Sequence, residues 1–318
     1  MIDIFSILCV LVISFIVLIV SSHLVTDNAI KLAEFFKISM LAIGFILVSV
    51  STSLPELAVS VTASSGGEGG ISVGNVMGAN ILNILIILGI CALMGKIVIK
   101  SDEMIEIVRV LFMISILPLI LIILPSVGRL GGIVLLIIFF INVYLLQKKK
   151  IGLEKKEEHV ITKNAVSAFI FFFIGIIGLI VSANFMINSA VKISDVLGLT
   201  TTVIGATIIS IGTTLPELAT STTAMKKGHT SLAFGNVVGS CLTNLTLVLG
   251  SAALINPVPI EPTFTVLAVT LLISTLVLWY LIETKKELNR SEGIVFIFMY
   301  MIFVMTIFGV DIGLHRLT

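Results

Sequence analysis

Two proline–glutamate pairs lie inside long apolar segments of this sequence. The motif reads TSLPEL at residues 52–57 and returns, 161 residues later, as TTLPEL at residues 213–218. Proline lacks the N–H that an α-helix needs and its ring clashes with the preceding turn. A carboxylate in the middle of a membrane costs about 2.5–3.5 kcal/mol. Because Pro55-Glu56 and Pro216-Glu217 duplicate both costs together, they predict a functional site rather than a packing detail.

The duplication extends well beyond the motif, so the chain contains an internal repeat. With the same offset and no gap, 17 of the 38 residues from Thr52 to Gly89 are identical to those from Thr213 to Gly250. The matches include Asn83 with Asn244, which are polar residues in apolar surroundings.

Composition identifies a membrane protein. Of 318 residues, 58% are hydrophobic and 12% are charged, and the mean hydropathy is +1.22, which is far from the usual make-up of a soluble domain. The net charge of +1 and the absence of a basic, aromatic-rich stretch argue against nucleic acid as a partner. The lipid bilayer is the expected environment, and nothing indicates an obligate protein partner.

Ten segments are long enough to span a bilayer. They run from Ile4 to Leu24, Ile38 to Ala63, Ile71 to Met94, Ile105 to Leu124, Leu130 to Leu146, Ala165 to Val191, Leu199 to Met225, Leu232 to Ile255, Thr263 to Ile282 and Ile294 to Val310. The polar stretch 147–163 separates them into two halves, residues 1–146 and 164–318. We therefore expect an all-α membrane protein of ten helices, with helices 2, 3, 7 and 8 broken.

Five spans per half place the second repeat in the opposite orientation to the first, as in transporters with inverted repeats. Counting spans assigns 16 of the 19 Lys and Arg residues to one side of the membrane and three to the other. By the positive-inside rule, the sequence predicts a protein of the cell membrane with residues 147–163 in the cytoplasm and both termini outside.

The polar groups that would meet at the centre are oxygen donors. They are the carboxylates of Glu56 and Glu217, the hydroxyls and carbonyls near Thr52 and Thr213, and the side-chain amides of Asn83 and Asn244. Ca²⁺ takes six to eight oxygen ligands, whereas softer metals favour Cys or His. The four histidines lie at segment ends or in loops, so the pattern favours a hard cation and gives no support for a transition metal, a His relay or any cofactor.

Structural explanations are also available for some of these residues. A membrane proline is often only a kink, and an intramembrane asparagine often joins helices. We expect Asn75 and Asn236 to cap or turn the starts of spans three and eight. An intramembrane glutamate, in contrast, is by default a candidate functional residue.

The two motif sets together resemble the alpha repeats of the sodium/calcium exchangers in the calcium/cation antiporter superfamily, of prokaryotic type. The resemblance rests on TSLPE with GNVMG and Asn83, and on TTLPE with GNVVGS and Asn244. The inverted layout of ten spans extends it over nearly the whole chain. It implies a secondary antiporter that works by alternating access and is not an enzyme.

The resemblance also implies roles for individual residues. Glu56 and Glu217, with the carbonyls of Thr52 and Thr213, would bind Ca²⁺ and share their carboxylates with Na⁺. Asn83 and Asn244 would line the centre. The flanking Na⁺ ligands would be Ser49, Thr52 and Ser53 on one side, and Ser210, Thr213, Thr214 and Ser240 on the other. The first and sixth helices would slide across the others.

Three positions depart from the family pattern. Ala79 stands where a serine commonly mirrors Ser240, so one Na⁺ site has one hydroxyl fewer. Ser51 replaces a usual glycine. Asn244 occupies a position that is Asp in some members, including K⁺-dependent ones, so we expect no K⁺ requirement. The resemblance also implies a stoichiometry of three Na⁺ to one Ca²⁺. With two carboxylates, one Ca²⁺ leaves the centre neutral and three Na⁺ leave it at +1, which predicts electrogenic exchange.

Three other functions stay open. A Ca²⁺/H⁺ antiporter of the same fold would cycle a proton on Glu56 or Glu217. The Pro-Glu motif and the hydroxyls around it favour Na⁺, but the Ala79 departure keeps this alternative open. An intramembrane hydrolase would need a Ser/His dyad, paired aspartates or an HExxH motif, none of which occurs at depth. A passive Ca²⁺ channel would carry flux without a counter-ion.

Overall fold

The computed structural model describes residues 4–35, 50–99, 102–123, 126–148 and 165–315, and nearly all of them are helical. In chain order the first half contains α1 (Ile4–Phe35), α2 (Leu54–Ser65), α3 (Gly69–Leu82), the π-helical turn π1 (Asn83–Ile87), α4 (Leu88–Met94), β1 (Ile97–Val98), α5 (Asp102–Leu121), β2 (Ser126–Val127) and α6 (Arg129–Lys148). The second half contains α7 (Ala165–Leu197), α8 (Thr201–Ile204), π2 (Gly205–Ile209), α9 (Ser210–Thr213), α10 (Leu215–Lys226), α11 (Thr230–Thr243), π3 (Asn244–Val248), α12 (Leu249–Ile255), β3 (Val258–Pro259), α13 (Pro262–Lys285), β4 (Glu287–Leu288) and α14 (Arg290–His315).

Six helices of the described ranges are long and apolar enough to cross a membrane. They are Ile4–Val25, Gly69–Met94, Val166–Leu197, Thr230–Ile255, Pro262–Lys285 and Arg290–Gly313. A seventh span is bent, since Thr201–Thr213 and Leu215–Lys226 meet at 45°. The chain is therefore a multi-pass membrane protein, and the larger number of ten spans stays a prediction.

The remaining three expected spans are accounted for only in part. The second was expected from Ile38 to Ala63. Residues 36–49 lie outside the described ranges, and α2 corresponds to its later part. The fourth and fifth correspond to α5 and α6, which have 20 residues each. Spans three and eight were expected to be broken, but each is continuous and departs from α-geometry only at a π-helical turn.

The internal repeat is reproduced in the secondary structure. At the sequence offset of the motif, α2 matches α10 with 12 residues each, and α3 matches α11 with 14 residues each. The turns π1 and π3 follow, and then α4 and α12 with seven residues each. Similar residues thus produce the same succession of elements twice.

The two halves contact each other through matched pairs of elements. Strand β1 of the first half pairs antiparallel with β4 of the second, and β2 pairs with β3. Gly89 on α4 faces Gly293 on α14, while Gly250 on α12 faces Gly132 on α6. A Cβ at Gly293 or at Gly132 would lie 2.7 Å from the carbonyl oxygen of the facing glycine. These helix pairs can therefore approach so closely only because glycine has no side chain.

Helices α1 and α7 form a layer on one side of the protein. They pack along each other, and a Cβ at Gly175 of α7 would lie 3.0 Å from the backbone nitrogen of Val25 on α1. Their outer faces carry exposed side chains such as Phe5, Ile13 and Phe169, as expected for helices in contact with lipid. The layer contacts the remaining helices mainly through α2.

Candidate ion-binding site

The two prolines fix where the helices next to the site begin. The chain makes a turn at Ser53 and at Thr214, and α2 and α10 start at the next residue with proline in second place. A proline is tolerated there because the first N–H groups of a helix have no intrahelical partner. Glu56 and Glu217 consequently occupy the first turn, where the helix dipole favours negative charge.

Both glutamates are completely buried. Glu56 and Glu217 have no exposed surface, and the two carboxyl groups are close enough to interact electrostatically. Within the described ranges, none of their four carboxylate oxygens has a hydrogen-bond partner. Since buried charges need a partner to offset lost hydration, these oxygens fit the requirements of a bound cation.

Hydroxyl groups lie beside each carboxyl group, and in each case one of them comes from the opposite repeat. The Thr213 hydroxyl is next to Glu56, and the hydroxyls of Thr52 and Ser240 are next to Glu217. The Thr52 and Ser240 oxygens are 3.0 Å apart. The fold therefore brings both broken helices to one place, with each supplying oxygen to the other's glutamate.

Two amides complete the set at the π-helical turns. Asn83 and Asn244 are the first residues of π1 and π3, are fully buried, and have no hydrogen-bond partner for either amide atom in the described part of the chain. Single π-turns inside α-helices are frequent at functional sites. An unpartnered buried amide is costly, so these side chains also fit a role in which they contact ions or water.

The other candidates have different surroundings. Ser53 is buried and its hydroxyl has no partner among the described residues. The Thr214 hydroxyl donates to the Ser210 carbonyl at 2.8 Å, and the Ser210 hydroxyl donates to the Ala206 carbonyl at 2.8 Å. Both oxygens still have lone pairs for a cation. Ser49 lies outside the described residues.

The expectation for Asn75 and Asn236 is wrong. Helices α3 and α11 begin at Gly69 and Thr230, so both asparagines lie inside the helices and do not cap them. Their side chains point into the protein and are fully buried. Each donates from Nδ2 to a serine of the preceding helix at 3.0 Å, Asn75 to Ser60 and Asn236 to Ser221.

Asn80 is a further buried polar residue that sequence reasoning missed. It is fully buried, and both atoms of its amide lack a partner among the described residues. Its backbone carbonyl accepts a weak hydrogen bond from the Cys241 thiol at 3.9 Å. Its position one helical turn before Asn83 was a usable signal, because i and i+3 residues share a helix face.

The apolar helices and the two buried glutamates together define a class of protein: a multi-pass helical membrane protein with acidic residues in its interior. A family model described as sodium/calcium exchanger protein matches residues 6–147 and again residues 167–309. The chain belongs to the sodium/calcium exchanger family, and its two matches divide at the polar stretch between the halves.

Individual relatives agree with this assignment. An uncharacterized membrane protein of Methanocaldococcus jannaschii is 30% identical over 279 residues, covering 87% of this chain and 90% of the relative. The sodium/calcium exchanger MaX1 of Methanosarcina acetivorans is 25% identical, with 94% and 97% covered. The inner membrane protein YrbG of Escherichia coli is 27% identical, with 89% and 91% covered.

Solved structures of the sodium–calcium exchanger NCX_Mj have the same fold. One, soaked with 100 mM Na⁺ and 10 mM Sr²⁺, has a TM-score of 0.65 at 28% identity and covers 94% of this chain and 98% of its own. Another has a TM-score of 0.64 at 30% identity, with 95% and 98% covered. Family and fold together support a cation/Ca²⁺ exchanger.

Proposed function

We propose that this protein is a secondary antiporter that exchanges Na⁺ for Ca²⁺ by alternating access. The observation that carries the proposal is the pair Glu56 and Glu217, which are fully buried with no hydrogen-bond partner for any carboxylate oxygen in the described ranges. Two carboxylates match the charge of one Ca²⁺ and supply the hard oxygen ligands it prefers. The family and the NCX_Mj likeness, whose structures were soaked with Na⁺, Ca²⁺ or Sr²⁺, support the choice of ions.

In this proposal the ligands are divided between a centre and two ends. Glu56 and Glu217 bind Ca²⁺ or Na⁺ with Thr52 and Thr213, and the amides of Asn83 and Asn244 line the centre. The flanking Na⁺ ligands are Ser49 and Ser53 at one end, and Ser210, Thr214 and Ser240 at the other. The hydroxyl contacts that cross between repeats support this arrangement.

We propose ten spans arranged as two inverted five-helix repeats, residues 1–146 and 164–318, joined by a cytoplasmic linker at 147–163. The pairing of β1 with β4 and of β2 with β3 supports the inversion. Strands β1 and β4 follow the third and ninth spans, and β2 and β3 follow the fourth and eighth. The loops in each pair lie on the same membrane face only if the repeats are inverted. The charge distribution supports both termini outside.

The layer of α1 and α7 is the proposed moving part. These helices pack extensively on each other and less on the remaining helices, so they can shift as a unit and expose the site to one side at a time. Small residues at the contact between the two helices support their movement as one unit, since Gly175 and Gly178 of α7 face Ser21 and Val25 of α1 and permit close packing.

The test is Ca²⁺ uptake into proteoliposomes loaded with Na⁺ and diluted into Na⁺-free buffer. We expect uptake that requires the outward Na⁺ gradient and that is not driven by a pH gradient alone. Uptake driven only by the pH gradient would replace this proposal with proton coupling, and uptake without any gradient would indicate a channel.

A Ca²⁺/H⁺ antiporter is the second candidate, and one observation favours it. Ala79 has no hydroxyl at the place where the second repeat has Ser240 beside Glu217. With fewer oxygen ligands for Na⁺ at that end, a proton on Glu56 could serve as the coupling ion.

A further inference from the structure

Asn75 and Asn236 form a matched pair that the proposed ligand set does not use. Both are fully buried, and both donate from Nδ2 to a serine hydroxyl at 3.0 Å. Each of those serines, Ser60 and Ser221, donates its own proton to a backbone carbonyl at 3.5 Å. With the amide nitrogen on the serine in both residues, the amide oxygen points away from it.

The two amide oxygens differ, although their residues are equivalent. The Asn75 Oδ1 accepts a hydrogen bond from the Thr213 hydroxyl at 3.0 Å. The Asn236 Oδ1 has no partner in the described part of the chain. Thr52, which is the repeat equivalent of Thr213, instead pairs with the Ser240 hydroxyl at 3.0 Å.

The difference follows from one side chain. Ser240 lies four residues after Asn236, and Ala79 lies four residues after Asn75, so each follows its asparagine on the same helix face. Where residue 240 supplies a hydroxyl, Thr52 bonds to it and Asn236 keeps its oxygen unpartnered. Where residue 79 supplies only a methyl group, Thr213 bonds to the Asn75 oxygen.

We propose that the side-chain oxygen of Asn236 is a Na⁺ ligand at the end of the site that contains Thr52, Ser240 and Glu217. The equivalent residue, Asn75, has a structural role and does not bind the ion. This inference rests on the proposed Na⁺/Ca²⁺ exchange. A neutral amide oxygen adds no charge but supplies a hard donor, which suits a monovalent ion beside a single carboxylate. The Asn75 oxygen is already held by Thr213 and does not serve this purpose.

The chain offers its own comparison, because Asn75→Ala and Asn236→Ala remove the same amide and the same bond to a serine. Asn75→Ala also removes a hydrogen bond from Nδ2 to the Glu56 carbonyl at 3.3 Å. The experiment measures the Na⁺ half-saturation of Na⁺-driven Ca²⁺ uptake and, in Na⁺-free buffer, the Ca²⁺ half-saturation of Ca²⁺/Ca²⁺ exchange. We expect Asn236→Ala to raise the Na⁺ half-saturation about tenfold, the effect of losing one ligand bond to a charged group, without changing that for Ca²⁺. We expect Asn75→Ala to change both constants in proportion, since it acts through Thr213 beside Glu56.

Asn236→Asp provides a second variant that keeps the side-chain shape and an oxygen at the same place. We expect its Na⁺ half-saturation to be lower than that of the wild type, because it adds negative charge, while Asn75→Asp has no such preference for Na⁺. An Asn236→Ala protein whose Na⁺ and Ca²⁺ half-saturations change in proportion, as expected for Asn75→Ala, or an Asn236→Asp protein with unchanged Na⁺ dependence, would overturn the inference alone. A wild type that shows no Na⁺-driven uptake would overturn the proposed function and this inference with it.

Discussion

A close backbone contact near the site predicts a large effect from one methyl group. Gly78 of α3 packs on Ala206 of π2, and a Cβ built at Gly78 would lie 2.6 Å from the Ala206 Cα and 2.8 Å from its carbonyl carbon. Because carbon atoms pack best at about 3.5–4.0 Å, Gly78→Ala must separate the two helices by about 1 Å. The opposing atoms are backbone, so no side-chain rotation can relieve the contact.

The separation has two measurable consequences. Overpacking of this kind costs about 1–3 kcal/mol of stability. It also moves Asn75, which is on α3, away from Thr213, which follows π2. Their 3.0 Å hydrogen bond is already at the upper limit of the normal O–H···O range of about 2.5–3.0 Å. Since Thr213 lies beside Glu56, we expect weaker Ca²⁺ binding as well as lower stability.

The assay compares thermal unfolding of purified protein in detergent with Ca²⁺ titrations of the same samples. Gly309→Ala is the matched control, because Gly309 lies in α14 and a Cβ there would meet nothing within 4 Å. We expect the control to equal or slightly exceed the wild type in stability, since alanine is the better helix former by about 1 kcal/mol. If Gly78→Ala unfolded with the control and bound Ca²⁺ normally, the inferred contact between α3 and π2 would be wrong.

Three further outcomes are expected. Exchange of three Na⁺ for one Ca²⁺ moves one charge, worth about 2.3 kcal/mol per 100 mV, so imposing 100 mV across proteoliposomes should shift the equilibrium Ca²⁺ ratio about 50-fold; no shift would rule out net charge transfer. Withdrawing K⁺ should leave Ca²⁺ uptake unchanged, because Asn244 is neutral, and a strict need for K⁺ would refute that reading. Asp311→Ala should lower thermal stability by about 1–3 kcal/mol, since Asp311 is fully buried and accepts hydrogen bonds from the Thr200 nitrogen and hydroxyl at 3.0 and 2.7 Å. The same change at exposed Asp195 should have little effect, and equal effects would contradict a stabilising role for the bonds between Asp311 and Thr200.

Local chemistry explains what the sequence could predict. A proline cannot donate to the helical ladder, so the helix breaks next to Pro55 and Pro216 were readable from two residues each. The burial of Glu56 and Glu217 followed from their position in apolar segments. The repeat offset then predicted that every element around the first motif would recur around the second.

The error at Asn75 shows where local reasoning failed. A Gly-Asn pair is typical of turns, but the turn uses an earlier glycine, Gly67, at φ 84°. Gly74 has a different purpose, since a Cβ there would lie 2.8 Å from the Ala206 nitrogen. Its missing side chain permits helix contact, and nothing in the local sequence separates that role from a turn.

Other features depend on contacts between the repeats and could not be read from sequence. The π-helical turns at Asn83 and Asn244 leave no periodicity that a hydropathy pattern would detect. Thr52 forms its hydrogen bond with Ser240, whereas Thr213 forms its hydrogen bond with Asn75. This difference is a tertiary effect of having Ala79 in one repeat and Ser240 in the other. The departure at Ala79 was visible, but its effect on the equivalent asparagines was not.

Equilibrium Ca²⁺ binding to the purified protein tests the central claim most directly. The titration is made in Na⁺-free buffer and at increasing Na⁺, with the wild type, Glu56→Gln and Glu217→Gln, whose side chains keep their shape and lose one charge. We expect one Ca²⁺ per chain that Na⁺ displaces, and a loss of at least about 100-fold in affinity in either variant, as for removing one partner from a buried ion pair. Wild-type affinity in both variants, or Ca²⁺ binding that Na⁺ does not affect, would contradict a site built on the two buried carboxylates.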